Sequence, residues 1–300
     1  MADGDSSVQL CVLSVHAHPD DEASKGASTM ARYGAEGVRT VLVTCTGGEA
    51  GDILNPAADS PEVRADLAGV RRRELDESVR IIGYDALHML GYRDSGMAGT
   101  ESNAHPDSFA NADLDEAVGR LVKIVRAERP QVIVGYARDR FYVHPDHLRV
   151  HEISVLAFER AGDPEWYPGT GEPWRPLKLY FSSGFTRARI TSMHEWFVEQ
   201  GEKSPFAQWI ERMETDGFEE DPTTTRIDVG DYLNVGRNAL LAHATQVAPD
   251  SFFFTMPLDV ARESYPWEDY TLARSLVDAG RADGEYEADL FAGIRIPASS

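Results

Sequence analysis

The chain has 300 residues, 42% hydrophobic and 26% charged, which suits one large α/β domain or a domain with an added lobe. Fifty acids against 29 bases give a formal net charge of -21, which excludes a phosphate-backbone binder because there is no basic excess to displace counterions. No apolar run approaches the roughly 18 residues of a membrane span, and MADGDSSVQ is polar and acidic where a leader would be basic. Cys11 and Cys45 sit in apolar runs and read as buried free thiols. A soluble cytoplasmic protein with no nucleic-acid or membrane partner is expected, and a homo-oligomer is left open.

In chain order, VQLCVLSVHA is a continuous apolar run, the pattern of a strand buried on both faces. A helix is expected from about Glu22 to Tyr33, ended by Gly34 and Gly37. VRTVLVTCT reads as a second buried strand, EVRADLAGVRRRELDESVRIIG as one long amphipathic helix, and ALHML as a short third strand. DLDEAVGRLVKIVRAERP is a further helix, capped by Asp113 and stopped by Pro130. QVIVGY is a fourth strand, a helix begins near Pro145, and LKLYFSSG is a fifth strand. This alternation predicts an α/β fold, a Rossmann-like, mostly parallel sheet flanked by helices. After about residue 185 the helical stretches TSMHEWFVEQ and VGRNALLAHATQ surround an acidic loop, ETDGFEEDPTT. Residues 1–185 are therefore read as the core and 186–300 as a helix-rich C-terminal lobe packed on the sheet.

Open parallel sheets bind ligands beyond the carboxyl ends of their strands. HAHPDDE, CTGGEAGD, GYRDSG and YARDRFYVHPDH follow the first four strands, so four polar loops converge on one edge. HPD occurs at His18, His105 and His144; the middle copy lies in the loop ESNAHPDSFAN, away from any strand end, and reads as plain loop. A catalytic zinc takes three protein ligands and keeps a fourth position open. His18 and Asp21, three residues apart, can face one point on a helix's first turn, and His147 would complete the set. His16, two residues before His18, and His151, four after His147, are rival ligands. A nucleotide-binding module would need GxGxxG after the first strand, where HAHPDD stands instead. A two-metal phosphoesterase would need more ligands.

HAHPDDE near the N-terminus with HPDH past the middle resembles the LmbE-like, or PIG-L, superfamily of zinc-dependent N-deacetylases. SKGASTMARYGAEG, TCTGGEAGDILNPA, HATQ and DLFAGI are similar to its mycothiol branch, and the likeness spans nearly the whole chain. The resemblance implies zinc ligation by His18, Asp21 and His147, with Fe2+ as the alternative metal. It implies that Asp20 is the general base and that His144 stabilises the oxyanion and can protonate the leaving amine. Asp146 would orient His144 and hold it protonated. The C-terminal lobe would complete the substrate pocket.

The resemblance also implies a small-molecule thiol-glycoside substrate. The expected reaction cleaves the amide between an N-acyl group and glucosamine in mycothiol S-conjugates, a detoxification releasing glucosaminyl-inositol and a mercapturic acid. The alternatives are the N-acetylglucosaminyl-inositol deacetylase of mycothiol synthesis, which RDSGMAGTESN resembles more, and an antibiotic-pathway amidase or deacetylase. Substrate-binding candidates are Asp94 in RDSG, Arg71 among three consecutive arginines, Glu49 and Asp52 in GGEAGD, and His243 in AHATQ. Asp52 stands where relatives more often carry Glu. Lys25, one of only four lysines, matches the conjugate-amidase branch and suits an acyl arm with extra polar groups.

Overall fold

The computed structural model describes residues 9–138, 143–184, 186–215, 222–280, 282 and 284–295. The expected parallel strands are present: β1 (Cys11–His16), β2 (Arg39–Thr46), β3 (Ala86–Tyr92), β4 (Val132–Tyr136) and β5 (Lys178–Ser183). Two further strands, β6 (Thr225–Asp228) and β7 (Trp267–Ser275), extend the same sheet in the order β3-β2-β1-β4-β5-β7-β6. β1 pairs in parallel with both β2 and β4, whereas β7 runs antiparallel to β5 and β6.

The apolar runs of β1 and β2 reflect burial on both faces. Leu13 and Val15 pack with Val118, Leu121, Val125 and Ile153 on one face. Val12 and Leu42 pack with Met30, Tyr33, Leu75 and Phe291 on the other. β6 and β7 escape that sequence rule because their segments, TRID and WEDYTLARS, are half polar and only partly buried. The helix-rich reading of the C-terminal residues names neither strand.

Two expected helices divide. The first breaks into Asp21–Ser24 and Ala27–Ala35 at Gly26, whose φ of 94° favours glycine and where a Cβ would stand a tight 3.0 Å from the Tyr270 hydroxyl. The second breaks into Pro61–Ala65 and Leu67–Ile82 at Asp66, whose carboxylate accepts from Gly69 N–H. Asp113 caps Leu114–Glu128 by accepting from Glu116 N–H at 2.8 Å, and Pro145 opens Pro145–Arg160. TSMHEWFVEQ lies in Arg187–Glu199, and Leu233–Ala242 covers most of VGRNALLAHATQ. Of the expected acidic loop, residues 216–221 lie outside the described residues.

The C-terminal segment is fastened to the sheet by one buried carboxylate. Glu287 accepts from Lys178 Nζ (3.0 Å), Tyr180 Oη (2.5 Å) and Thr225 Oγ1 (2.9 Å). Cys11 and Cys45 are buried and unpaired with each other. No helix among the described residues is long and apolar enough to cross a membrane.

Candidate active site

Strand order reverses between β1 and β4, which opens a crevice at their carboxyl ends. The loop after β1 delivers His18, Asp20 and Asp21 there, and the segment after β4 delivers His144, Asp146 and His147. All but Asp20 are buried, and its side chain keeps 28% of its surface open.

His18, Asp21 and His147 each offer a ligand atom, all within 4.8 Å of one another. Asp21 Oδ2 lies 3.4 Å from both His18 Nδ1 and His147 Nε2. Atoms bound tetrahedrally to an ion at about 2.0–2.1 Å stand roughly 3.3 Å apart, so this donor set fits a metal with little rearrangement. A second group, His18 with His144 and Asp146, also lies within range. Its Asp146 is already engaged: Oδ2 accepts from Ser95 N–H at 3.0 Å and from His18 Nε2 at 3.1 Å, and Oδ1 accepts from Ser95 Oγ. A ligating histidine usually donates its remote N–H to a carboxylate, and His18 does so to Asp146. This favours the first group.

The charge pattern agrees. Burial pulls the His18 imidazole down, yet hydrogen bonds from Asp146, Asp21 and Asp94 lift it well above its ordinary value. Burial raises Asp21, but Lys25 and His147 draw it well below the carboxylate range. Three carboxylates thus face one imidazole at the place where a cation fits.

Asp20 is unusual in its backbone, with φ 113° and ψ −25°. A non-glycine residue there is strained, which marks functional positions. Burial raises its carboxyl against the pull of Arg71, and a raised pKa suits a general base.

The Asp146 carboxylate addresses Ser95 and His18, and its backbone N–H donates to His144 Nδ1 at 3.2 Å. Nδ1 therefore keeps its lone pair and the proton sits on Nε2. His144 is pushed down to about 4 by burial, then by His18, and it caps the positive end of a 16-residue helix. Both effects oppose the expected cation at His144.

The substrate candidates divide. Asp94 is buried and accepts from Ala50 and Gly96 N–H, with His18 Nε2 3.5 Å away. Glu49 is half-buried and accepts from Asp94 N–H. Asp52 is exposed, and its carbonyl accepts from Gln246. Lys25 is half-buried and donates to Asp21 Oδ1. Of the three arginines, Arg71 faces inward, while Arg72 and Arg73 are exposed. Arg71 braces loops rather than lining open space: it donates to Gly48 O and Pro19 O, each at 2.5 Å. Gly48, at φ 71°, leaves room for it; a Cβ would stand 2.2 Å from Nη1. His243 is wholly buried, with Nε2 2.6 Å from Glu22 Oε1, so it does not face a substrate in this geometry.

His16 and His151 lie outside both metal groups; each sets Nδ1 2.8 Å from Tyr136, one at the hydroxyl and the other at the carbonyl. His105 sits in its surface loop and accepts from Asp107 N–H. Sequence reasoning missed Glu22, Ser95 and Tyr136. Glu22 was detectable as the closing residue of HPDDE, and Ser95 as the serine of RDSG; Tyr136 had no local signal.

Two imidazoles, a shared carboxylate and a strained second carboxylate at a switch point define a metal-site enzyme. The chain belongs to the PIG-L family, described as GlcNAc-PI de-N-acetylase, whose pattern matches residues 13–158. It is 42% identical to the mycothiol S-conjugate amidase of Streptomyces coelicolor, over 96% of this chain and 98% of that one. It is 38% identical to the 1D-myo-inositol 2-acetamido-2-deoxy-alpha-D-glucopyranoside deacetylase of Geodermatophilus obscurus, over 94% and 97%. The fold is similar to that of N,N'-diacetylchitobiose deacetylase from Pyrococcus horikoshii, with TM-score 0.61 and 18% identity over 87% and 83% of the two chains. The chain is accordingly a hydrolase of amide bonds.

Proposed function

We propose that the protein is a zinc-dependent amidohydrolase that cleaves the bond between an N-acyl group and glucosamine in mycothiol S-conjugates. The observation that carries the metal-assisted chemistry is the equal 3.4 Å spacing of Asp21 Oδ2 from His18 Nδ1 and His147 Nε2, with Asp20 beside them. The substrate assignment is supported by 42% identity across 96% of the chain, together with Lys25 half-buried at Asp21.

His18, Asp21 and His147 would hold zinc, which supplies a Lewis acid and lowers the pKa of water. Asp20 takes the proton of the attacking water as its oxygen adds to the amide carbon. His144 Nε2–H donates to the carbonyl oxygen as negative charge grows on it. The proton held by Asp20 then passes to the nitrogen as the C–N bond breaks, because an amide anion is a poor leaving group. The products are a carboxylic acid and an amine. A neutral His144 needs no proton of its own to transfer. Asp94 and Glu49, linked through one hydrogen bond, would meet sugar hydroxyls at the rim.

The second reading, deacetylation of N-acetylglucosaminyl-inositol, is supported by relatives bearing that deacetylase name at 37–39% identity. Amine release by the zinc-loaded protein separates the two. A bulky mycothiol S-conjugate and N-acetylglucosaminyl-inositol are offered in parallel. Faster cleavage of the conjugate is expected, and faster deacetylation would assign the biosynthetic reaction. Release from neither, with zinc bound, would overturn both and direct attention to antibiotic-pathway amides.

A further inference from the structure

The strained turn at Asp20 persists only if its surroundings over-determine it. Arg71 Nη2 holds one side, through Pro19 O and at 3.4 Å from Asp20 Oδ2. The other side is held by Glu22, whose Oε2 accepts from Asp20 N–H at 2.9 Å. Glu22 is wholly buried, and its Oε1 accepts from Ser78 Oγ and His243 Nε2, both at 2.6 Å. Ser78 belongs to the Leu67–Ile82 helix and His243 caps the Leu233–Ala242 helix. His243 is wholly buried too.

We infer that Glu22 and His243 are positioning residues for Asp20. Their 2.6 Å contact, wedged between two helices, fixes the carboxylate that receives the Asp20 N–H and so aims the Asp20 side chain. The inference rests on Asp20 being the base. It gives the C-terminal residues a part in catalysis without substrate contact: a residue 221 positions along the chain from Glu22 sets the direction of the base.

The test compares His243→Leu, which removes the donor, with His243→Gln, which returns an N–H near the Nε2 position. The readouts are kcat and KM for amine release and zinc affinity by chelator competition. His243→Leu is expected to lower kcat about 10- to 100-fold, as loss of supporting hydrogen bonds does elsewhere, with KM and zinc affinity within about threefold. His243→Gln is expected to recover most of kcat. A raised KM at unchanged kcat would mean substrate contact and would overturn the inference. So would zinc affinity falling in step with kcat, or equal loss in both variants. If His243→Leu does not fold, Glu22→Ala, which removes the acceptor of the Asp20 N–H, carries the same comparison. If wild-type protein releases no amine from either substrate, the proposed function fails separately. Crystals of His243→Gln and Glu22→Ala then decide the positioning: φ of Asp20 kept in the first and relaxed in the second, which lacks the acceptor, supports it, and any other pattern refutes it.

Discussion

Replacing Asp20 with alanine and with glycine isolates the strain stored at the candidate base. Both variants lose the carboxylate, and with it the partly exposed contact to Arg71 at 3.4 Å, so that loss cancels between them. They differ in backbone. Alanine keeps a side chain at φ 113°, a conformation costing a non-glycine residue about 1–3 kcal/mol. Glycine escapes that cost but gives up about 0.5–1 kcal/mol of extra freedom in the unfolded chain. The difference leaves Asp20→Gly the more stable by about 1 kcal/mol. For 300 residues, with an unfolding entropy of about 2.1 cal/mol/K per residue, that is about 1.5 °C in Tm. Urea titrations of both variants in chelator, where bound metal contributes nothing, measure it directly. Equal stability, or alanine the more stable, would refute the claim that the turn is strained.

Other substitutions probe the supports. Lys178→Met breaks a buried ion pair and leaves Glu287 short of its charged partner; a loss of about 3–5 kcal/mol in urea unfolding is expected, with KM unchanged. Ser95→Ala removes the hydroxyl donor from the Asp146 carboxylate that faces His18, and zinc affinity is expected to fall about tenfold in chelator competition. Glu128 is held below its ordinary pKa: burial raises it, but Arg39 and His88 outweigh that. A depressed folded pKa stabilises the protein fully above the unfolded carboxylate value, and the gain is lost as pH falls through the folded one. The stability difference between wild type and Glu128→Gln should therefore be constant above about pH 5 and shrink below it. A difference that grows towards acid would contradict the pairing.

Three residues of the metal group could be named from two tetrapeptides, HPDD and HPDH, because each follows an apolar strand of a parallel sheet. Local order suffices when strand direction itself carries the loops to one edge. Roles that depend on which way a side chain turns were not legible. Three successive arginines differ only by about 100° steps around a helix, and packing against the β1 loop selects Arg71. The direction of the Asp146 carboxylate follows from Ser95, 51 residues away, and not from its neighbour His144.

The sequence by itself therefore determined the alternating core and the loops at the carboxyl ends of its strands, which rest on short-range periodicity, while the donor set was chosen among rival histidines by the family resemblance. Tertiary structure alone decided that β6 and β7 join the sheet, that the Asp146 carboxylate turns to Ser95 and His18, and that His243 meets Glu22. Those outcomes depend on burial and on contacts across tens to hundreds of residues, where a polar strand or a histidine has no local pattern to declare its partner.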